Sequence, residues 1–364
     1  MPKPFDFWIL TGVFWASFAL AGESTWSQLV VEGNEFQTQG RYSDAEKAYA
    51  AAVRGAGGSD QLVTSLNNLA LVYQNQGKFE QARHAYEHAL DICRNRGSGD
   101  DRTAILIRKN LASLCYARGE AAEAERRFRA VLPVADKTLG PEDPDTLTIV
   151  HDLAATLYDQ KQYSAAERLY QRVLAVRERT LGQEHSDVAG ALHNLGSVYA
   201  AERRFDLAQD AYARALQIRE SALGPMHPAV ARTLNSLAWV LARKGNIIDA
   251  ERLYRRAIAI TEAAFGADHP DVAMELGNLA DLYVIQNRFA DAEPLYQHSL
   301  RIQEASFAPD HPRLLSTLHK YAQVLRKSHR NAEAAELERR AKAVSPARDN
   351  YAGRVVDVHV LAPQ

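Results

Sequence analysis

Histidine stands before proline at His227, His269 and His311, and His185 stands before Ser186 at a matching place in another copy. A recurring imidazole could ligate a metal or carry a proton. Yet Asp143 holds the same position before Pro144, and a carboxylate binds metals on other terms. What the two residue types share is a side chain that accepts a backbone N–H at a helix start, with proline favoured at the first helical position. Neighbouring copies would also hold these side chains roughly 10 Å apart, the spacing of packed helices and too far to share an ion. They are expected to punctuate helices. His84 and His88 lie one helical turn apart; without a third ligand nearby they are expected to be solvated rather than to hold surface zinc. The chain has no glycine-rich phosphate loop, no His-Glu-x-x-His and no Gly-x-Ser-x-Gly. No catalytic residue, metal or cofactor is expected.

A second set of polar residues recurs at a step of 42: Asn68, Asn110, Asp152, Asn194, Ser236, Asn278 and Lys320. The position before each carries Asn67, Lys109, His151, His193, Asn235, Gly277 and His319, and Trp239 stands one turn beyond Asn235. An amide both donates and accepts, so such a ladder could hold the main chain of an extended peptide. It could equally bond the adjacent helix and set the spacing between copies. Arg232, Arg243, Lys109, Lys320, Arg326 and Lys327 outweigh Asp152, Asp159 and Asp281 on this face. That bias points to an acidic or carboxylate-ended ligand, with plain solvation of helix faces as the alternative. Trp239 is suited either to stacking on a ligand or to packing on a neighbouring helix.

The elements that position these residues follow from the same step. Two residues after the Asn68 row come Ala70, Ala112, Ala154, Gly196, Ala238, Ala280 and Ala322. A second small row runs from Ala82 through Ala124, Ala166, Ala208, Ala250 and Ala292 to Ala334. An aromatic row holds Tyr86, Phe128, Tyr170, Tyr212, Tyr254 and Tyr296 until Glu338 breaks it. Leu276, Leu279, Ala280 and Tyr283 fall on one helical face, and Ala292, Tyr296, Ser299 and Ile302 lie in a second helix after the break at QNRF. Small residues let the paired helices approach, while the aromatic fills the gap between pairs. No single pair can bury its apolar stripe alone, so the pairs must stack.

The pattern Leu-x-x-Leu-Ala-x-x-Tyr…Gly…Ala-x-x-x-Tyr-x-x-Ala resembles the tetratricopeptide repeat. The 42-residue length and linkers such as LGPMHPAV are similar to the kinesin-light-chain-like variant of bacterial type, and SLNNLALVYQNQGKFEQARHAYEHALDI carries the pattern most fully. The resemblance implies an all-α, right-handed superhelical solenoid of antiparallel helix pairs. An array over 23–345 divides into eight repeats: 26–62, 63–104, 105–146, 147–188, 189–230, 231–272, 273–314 and a degenerate 315–345. It also implies that groove asparagines, here Asn68, Asn110, Asn194 and Asn278, hold peptide main chain. Asp152, Ser236 and Lys320 depart from that row.

Composition bounds the rest. With 43 basic and 45 acidic residues among 364, no global field favours nucleic acid. Cys93 and Cys115, placed on antiparallel helices, would stand too far apart for a disulfide and are expected to be packed thiols. Residues 1–22 carry Lys3, an apolar run from Trp8 and Ala19-Leu20-Ala21 before Gly22, the order of a cleavable export signal. That run is shorter than the ~20 residues of a membrane span. An exported chain with no stable span after signal removal is expected; an anchor at residues 8–21 or a cytoplasmic chain are the alternatives. In the tail 346–364, Val356, Val358 and Val360 alternate with polar residues as in a short strand.

The expected function is a non-catalytic scaffold that binds an extended peptide or protein segment in the concave groove. Asn67, Asn68, Lys109, Asn110, His151, His193, Asn194, Arg232, Asn235, Trp239, Arg243, Asn278 and His319 are the expected lining. The alternative is an assembly factor that self-associates through its terminal repeats or C-terminal strand. A zinc- or histidine-dependent enzyme is a third reading, for which the fold alone licenses no chemistry.

Overall fold

The computed structural model describes residues 25–344; the expected export signal and the strand-like tail lie outside the described residues. Among the described residues the chain forms sixteen helices and no strand. They fall into two compact units, one running to Gly99 and one starting at Asp100. The first unit pairs α1 (Trp26–Thr38) with α2 (Tyr42–Arg54) and α3 (Ser59–Asn75) with α4 (Phe79–Asn95). The second begins with α5 (Arg102–Ala117) on α6 (Ala121–Thr138), α7 (Pro144–Asp159) on α8 (Tyr163–Leu181) and α9 (Ser186–Ala201) on α10 (Phe205–Leu223). It continues with α11 (Pro228–Arg243) on α12 (Ile247–Phe265), α13 (Pro270–Ile285) on α14 (Phe289–Ser306) and α15 (Arg313–Lys327) on α16 (Asn331–Ala343). Within each unit every helix packs on the next along the chain, which makes the fold an all-α solenoid.

The linker side chains do what their spacing implies. Asp143 Oδ1 accepts the Asp145 N–H at 2.9 Å. His185, His227 and His269 each accept, through Nδ1, the N–H two residues on, at 3.2, 3.1 and 3.3 Å. His311 does the same for Arg313 at 3.2 Å. His269 and His311 also stack on Phe265 and Phe307, with centroids 4.7 and 4.6 Å apart. All four rings satisfy a donor at a helix start, and those of His269 and His311 also cover the end of the preceding helix. These histidines are caps.

Between the two helices of a pair the chain reverses through one left-handed residue, Gly245 at φ 87° but Arg203 at φ 61° in the equivalent turn. The aromatic row is buried, with Tyr86, Phe128, Tyr254 and Tyr296 among the most enclosed large side chains. Glu338 ends that row by pairing with Arg326 at 2.7 Å, as suits a terminal repeat with a wet outer face. Cys93 and Cys115 are buried thiols.

Gly196 shows how tightly the small rows are set. A Cβ built there would stand 2.8 Å from Cε1 of the Tyr212 ring. Gly196→Val is expected to destabilise by about 1–3 kcal/mol, because the core around the ring has no room to relax. The check is faster hydrogen exchange in α9 and α10; unchanged protection there would show that the ring yields at little cost.

Candidate ligand-binding face

In the second unit, the two polar rows on the first helices bond to each other across adjacent pairs. Asn278 Nδ2 donates to Asn235 Oδ1 at 3.0 Å. Asn194 Nδ2 meets His151 Nε2 at 2.8 Å, which leaves the ring proton on Nδ1, 3.4 Å from Asp152 Oδ1. Lys109 Nζ stands 3.6 Å from Asp152 Oδ2. Every rung joins a residue to one 43 positions on. The amides thus hold neighbouring first helices together, so the spacing role left open in the sequence is a real one.

This geometry corrects part of the expected lining. Lys109, 1 % exposed beside a 5 % exposed Asp152, is not a free positive charge on the face. Asn110 is likewise fully buried in α5. In the first unit Asn67 and Asn68 are fully buried in α3, with the Asn67 amide donating to Asn68 Oδ1 at 3.1 Å. A side chain that is buried and bonded to its neighbours cannot also present an open surface. His151, Asn194, Asn235 and Asn278 stay half-buried, and Arg232, Trp239, Arg243 and His319 are exposed. The accessible part of the face therefore runs from α7 onward.

The ladder fails where Gly277 has no side chain to offer Lys320, which pairs with Asp281 instead, and again at His193. His193 should meet Ser236, but Ser236 Oγ donates to the Arg232 carbonyl at 3.1 Å. His193 Nδ1 is buried without a hydrogen-bond partner among the described residues. Its ring packs edge-on against Tyr212, with centroids 5.1 Å apart. Burial, then the charges of Arg219 and Arg232, push its pKa down to about 3, so the imidazole is neutral.

Two recesses flank the broken rung at His193. A cavity of about 270 Å³ is lined by Tyr158, Ser197, Tyr212, Asn235, Ser236, Asn278 and Trp239. Trp239 is 42 % exposed, held edge-on by Phe205 at 6.1 Å and covered by the Arg243 guanidinium at 5.8 Å. A second cavity of about 520 Å³ is lined by His151, His193 and Asn194, and by three arginines, Arg177, Arg219 and Arg232. Arg177 and Arg219 are missing from the expected lining because they belong to the second helices. Their signal was a charge repeated at a step of 42 in a row that elsewhere holds Ala135 and Thr261.

The tetratricopeptide repeat family matches residues 33–95, 101–179, 187–263, 240–305 and 274–347. The chain is a tetratricopeptide repeat protein. Among solved structures, BtubC (BKLC) of P. vanneervenii is 25 % identical, with a TM-score of 0.52 over 66 % of this chain and 92 % of that one. The apo quorum sensor NprR of B. thuringiensis shares the fold at 12 % identity and a TM-score of 0.65, covering 87 % of this repeat chain and 86 % of its own. A Rap protein complexed with Competence and Sporulation Factor aligns at 16 % identity and a TM-score of 0.51, over 86 % and 76 %. No curated protein matches the chain. No helix among the described residues is long and apolar enough to cross a membrane.

Proposed function

We propose that this repeat protein is a non-catalytic interaction scaffold that holds an extended polypeptide segment along the first helices from α7 to α15. The observation that carries the reading is Trp239. A large aromatic left 42 % exposed beside a 270 Å³ recess is the arrangement of a binding anchor rather than of a core residue. Around it, Asn235 and Asn278 each use one amide function in the ladder and keep another for a peptide backbone. Support also comes from the shared fold of a Rap protein crystallised with Competence and Sporulation Factor.

The test is an array of immobilised random twelve-residue peptides probed with the labelled full chain and with Trp239→Ala. Peptides retained by the parent are expected to bind Trp239→Ala at least ~10-fold more weakly, the loss of an aromatic anchor. Circular dichroism should be unchanged, because the indole lies outside the packed aromatic row. Equal retention by both proteins would move the binding surface away from this face.

A further inference from the structure

The stack in the second unit presents two unlike edges. Rungs between first helices join residues 43 apart. Ion pairs between second helices, Arg204 with Glu167 and Arg288 with Glu251, join residues 37 apart. Each set of helices therefore runs parallel from pair to pair. The turns inside pairs all lie along one edge, and the linkers between pairs all lie along the other.

The turn edge carries free positive charge. Its tip is one left-handed residue per pair, Lys161 and Arg203 at φ 61° where Gly245 stands in a later copy. Glycine suits that conformation, whereas a residue with a Cβ adopts it at a steric cost. Lys161 and Arg203 are exposed and gain no ion pair among the described residues in return. Arg204, Lys244 and Arg288 at the same turns are each neutralised by a carboxylate.

The linker edge carries free negative charge at the same step. Two residues after the left-handed glycines Gly140, Gly182 and Gly266 stand Glu142, Glu184 and Asp268. Glu142 is bridged to Arg179, but Glu184 and Asp268 are exposed and have no ion pair among the described residues. Where the charges lapse, both edges become apolar in the same repeat. Met226 replaces the acid after Gly224 and is 56 % exposed, while Ile248, three residues past Gly245, is 86 % exposed. Large apolar side chains held this far into water suit a surface that is covered part of the time.

We propose that the protein self-associates edge to edge, the turn edge of one copy lying against the linker edge of the next. With the repeats level, Lys161 falls opposite Glu142, Arg203 opposite Glu184 and Ile248 opposite Met226. A second copy is the partner whose rows match over several repeats, because both edges belong to one stack and share its step. The balance of 43 basic and 45 acidic residues hides this separation in the chain as a whole. The contact is heterologous, so each copy keeps one free edge of each kind and the assembly stays open-ended. Single exposed ion pairs contribute little and are screened by salt, so the association is weak, additive over repeats and salt-sensitive.

Sedimentation velocity of the full chain over a concentration series tests this. The mass of the parent is expected to rise with concentration and to fall back on adding salt. Arg203→Glu and Glu184→Lys each set like charges against each other, so each alone is expected to remain monomeric. An equal mixture of the two is expected to associate again, because the reversed charge on one turn edge meets the reversed charge on the other linker edge. Ile248→Asp should also lose the association, with its circular dichroism unchanged. A parent that is monomeric at every concentration overturns the proposal. Association that persists in all three variants overturns these edges as the interface. A monomeric parent that sediments with phosphatidylglycerol vesicles, with Arg203→Glu losing and Glu184→Lys keeping that binding, replaces the second copy by an anionic lipid surface.

Discussion

Replacing Glu275 with glutamine is expected to stabilise the protein by about 3 kcal/mol at pH 8 and by almost nothing at pH 4. Glu275 sits on α13, 2 % exposed, with Thr261 Oγ1 donating to Oε1 at 2.9 Å and Oε2 without a partner among the described residues. Burial first, then the charges of Asp271 and Glu262, raise its pKa to about 7 against the effect of the Thr261 bond. In the unfolded chain the same carboxyl titrates in the ordinary carboxylate range. Between that range and pH 7 the native state binds the extra proton, so stability falls as pH rises through the window and is flat above it. Glutamine carries no proton to lose and keeps an oxygen for Thr261. Because repeat arrays unfold in parts, hydrogen exchange of α12 and α13 is the better reading than a single global midpoint. Protection at pH 8 that is identical in parent and Glu275→Gln would remove the prediction.

Glu275 also shows why the core rows need more than their step to be understood. It is the counterpart, one repeat on, of Thr233, and Thr261 is the counterpart of Arg219. In one repeat interface a buried arginine meets a threonine; in the next a threonine meets a buried glutamate. The two charges would neutralise each other in register, but they lie one repeat apart. A row of this kind reads as noise in a sequence until the packing shows which helix each member faces.

The array itself was legible because a solenoid repeats one packing problem. The Ala280 and Ala292 rows must be small and the Tyr254 row large in every copy, so the period survives any single substitution. The histidine caps were legible for a similar reason: Asp143 in the same place points to the local role that the two residue types share. The site was less legible. Asn194 and Asn278 were equally suited to a ligand or to the neighbouring helix, and only the 43-residue rungs decide which donor each has left. Lys109 looked like surface charge because burial of a lysine depends on a tertiary partner, Asp152, that no local pattern announces. Arg177 and Arg219 reach the face from the second helices, α8 and α10, whose repeat pattern gives no sign of it.

On the acid side the decisive residue is His193. Its folded pKa of about 3 lies well below the ordinary imidazole value, because burial in α9 and the charges of Arg219 and Arg232 oppose protonation. The unfolded chain takes up the proton first, so the stability present above about pH 6.5 is lost as pH falls toward 3. At pH 4 the parent is expected to be about 3 kcal/mol less stable than His193→Gln, and at pH 8 the two should agree. Between about pH 4.5 and 6.5 this slope opposes that of Glu275, so the parent will look insensitive to pH where two large effects cancel. The cancellation is broken by replacing either residue alone. Equal hydrogen-exchange protection of α9 and α10 in the parent and His193→Gln at pH 4 would remove the prediction.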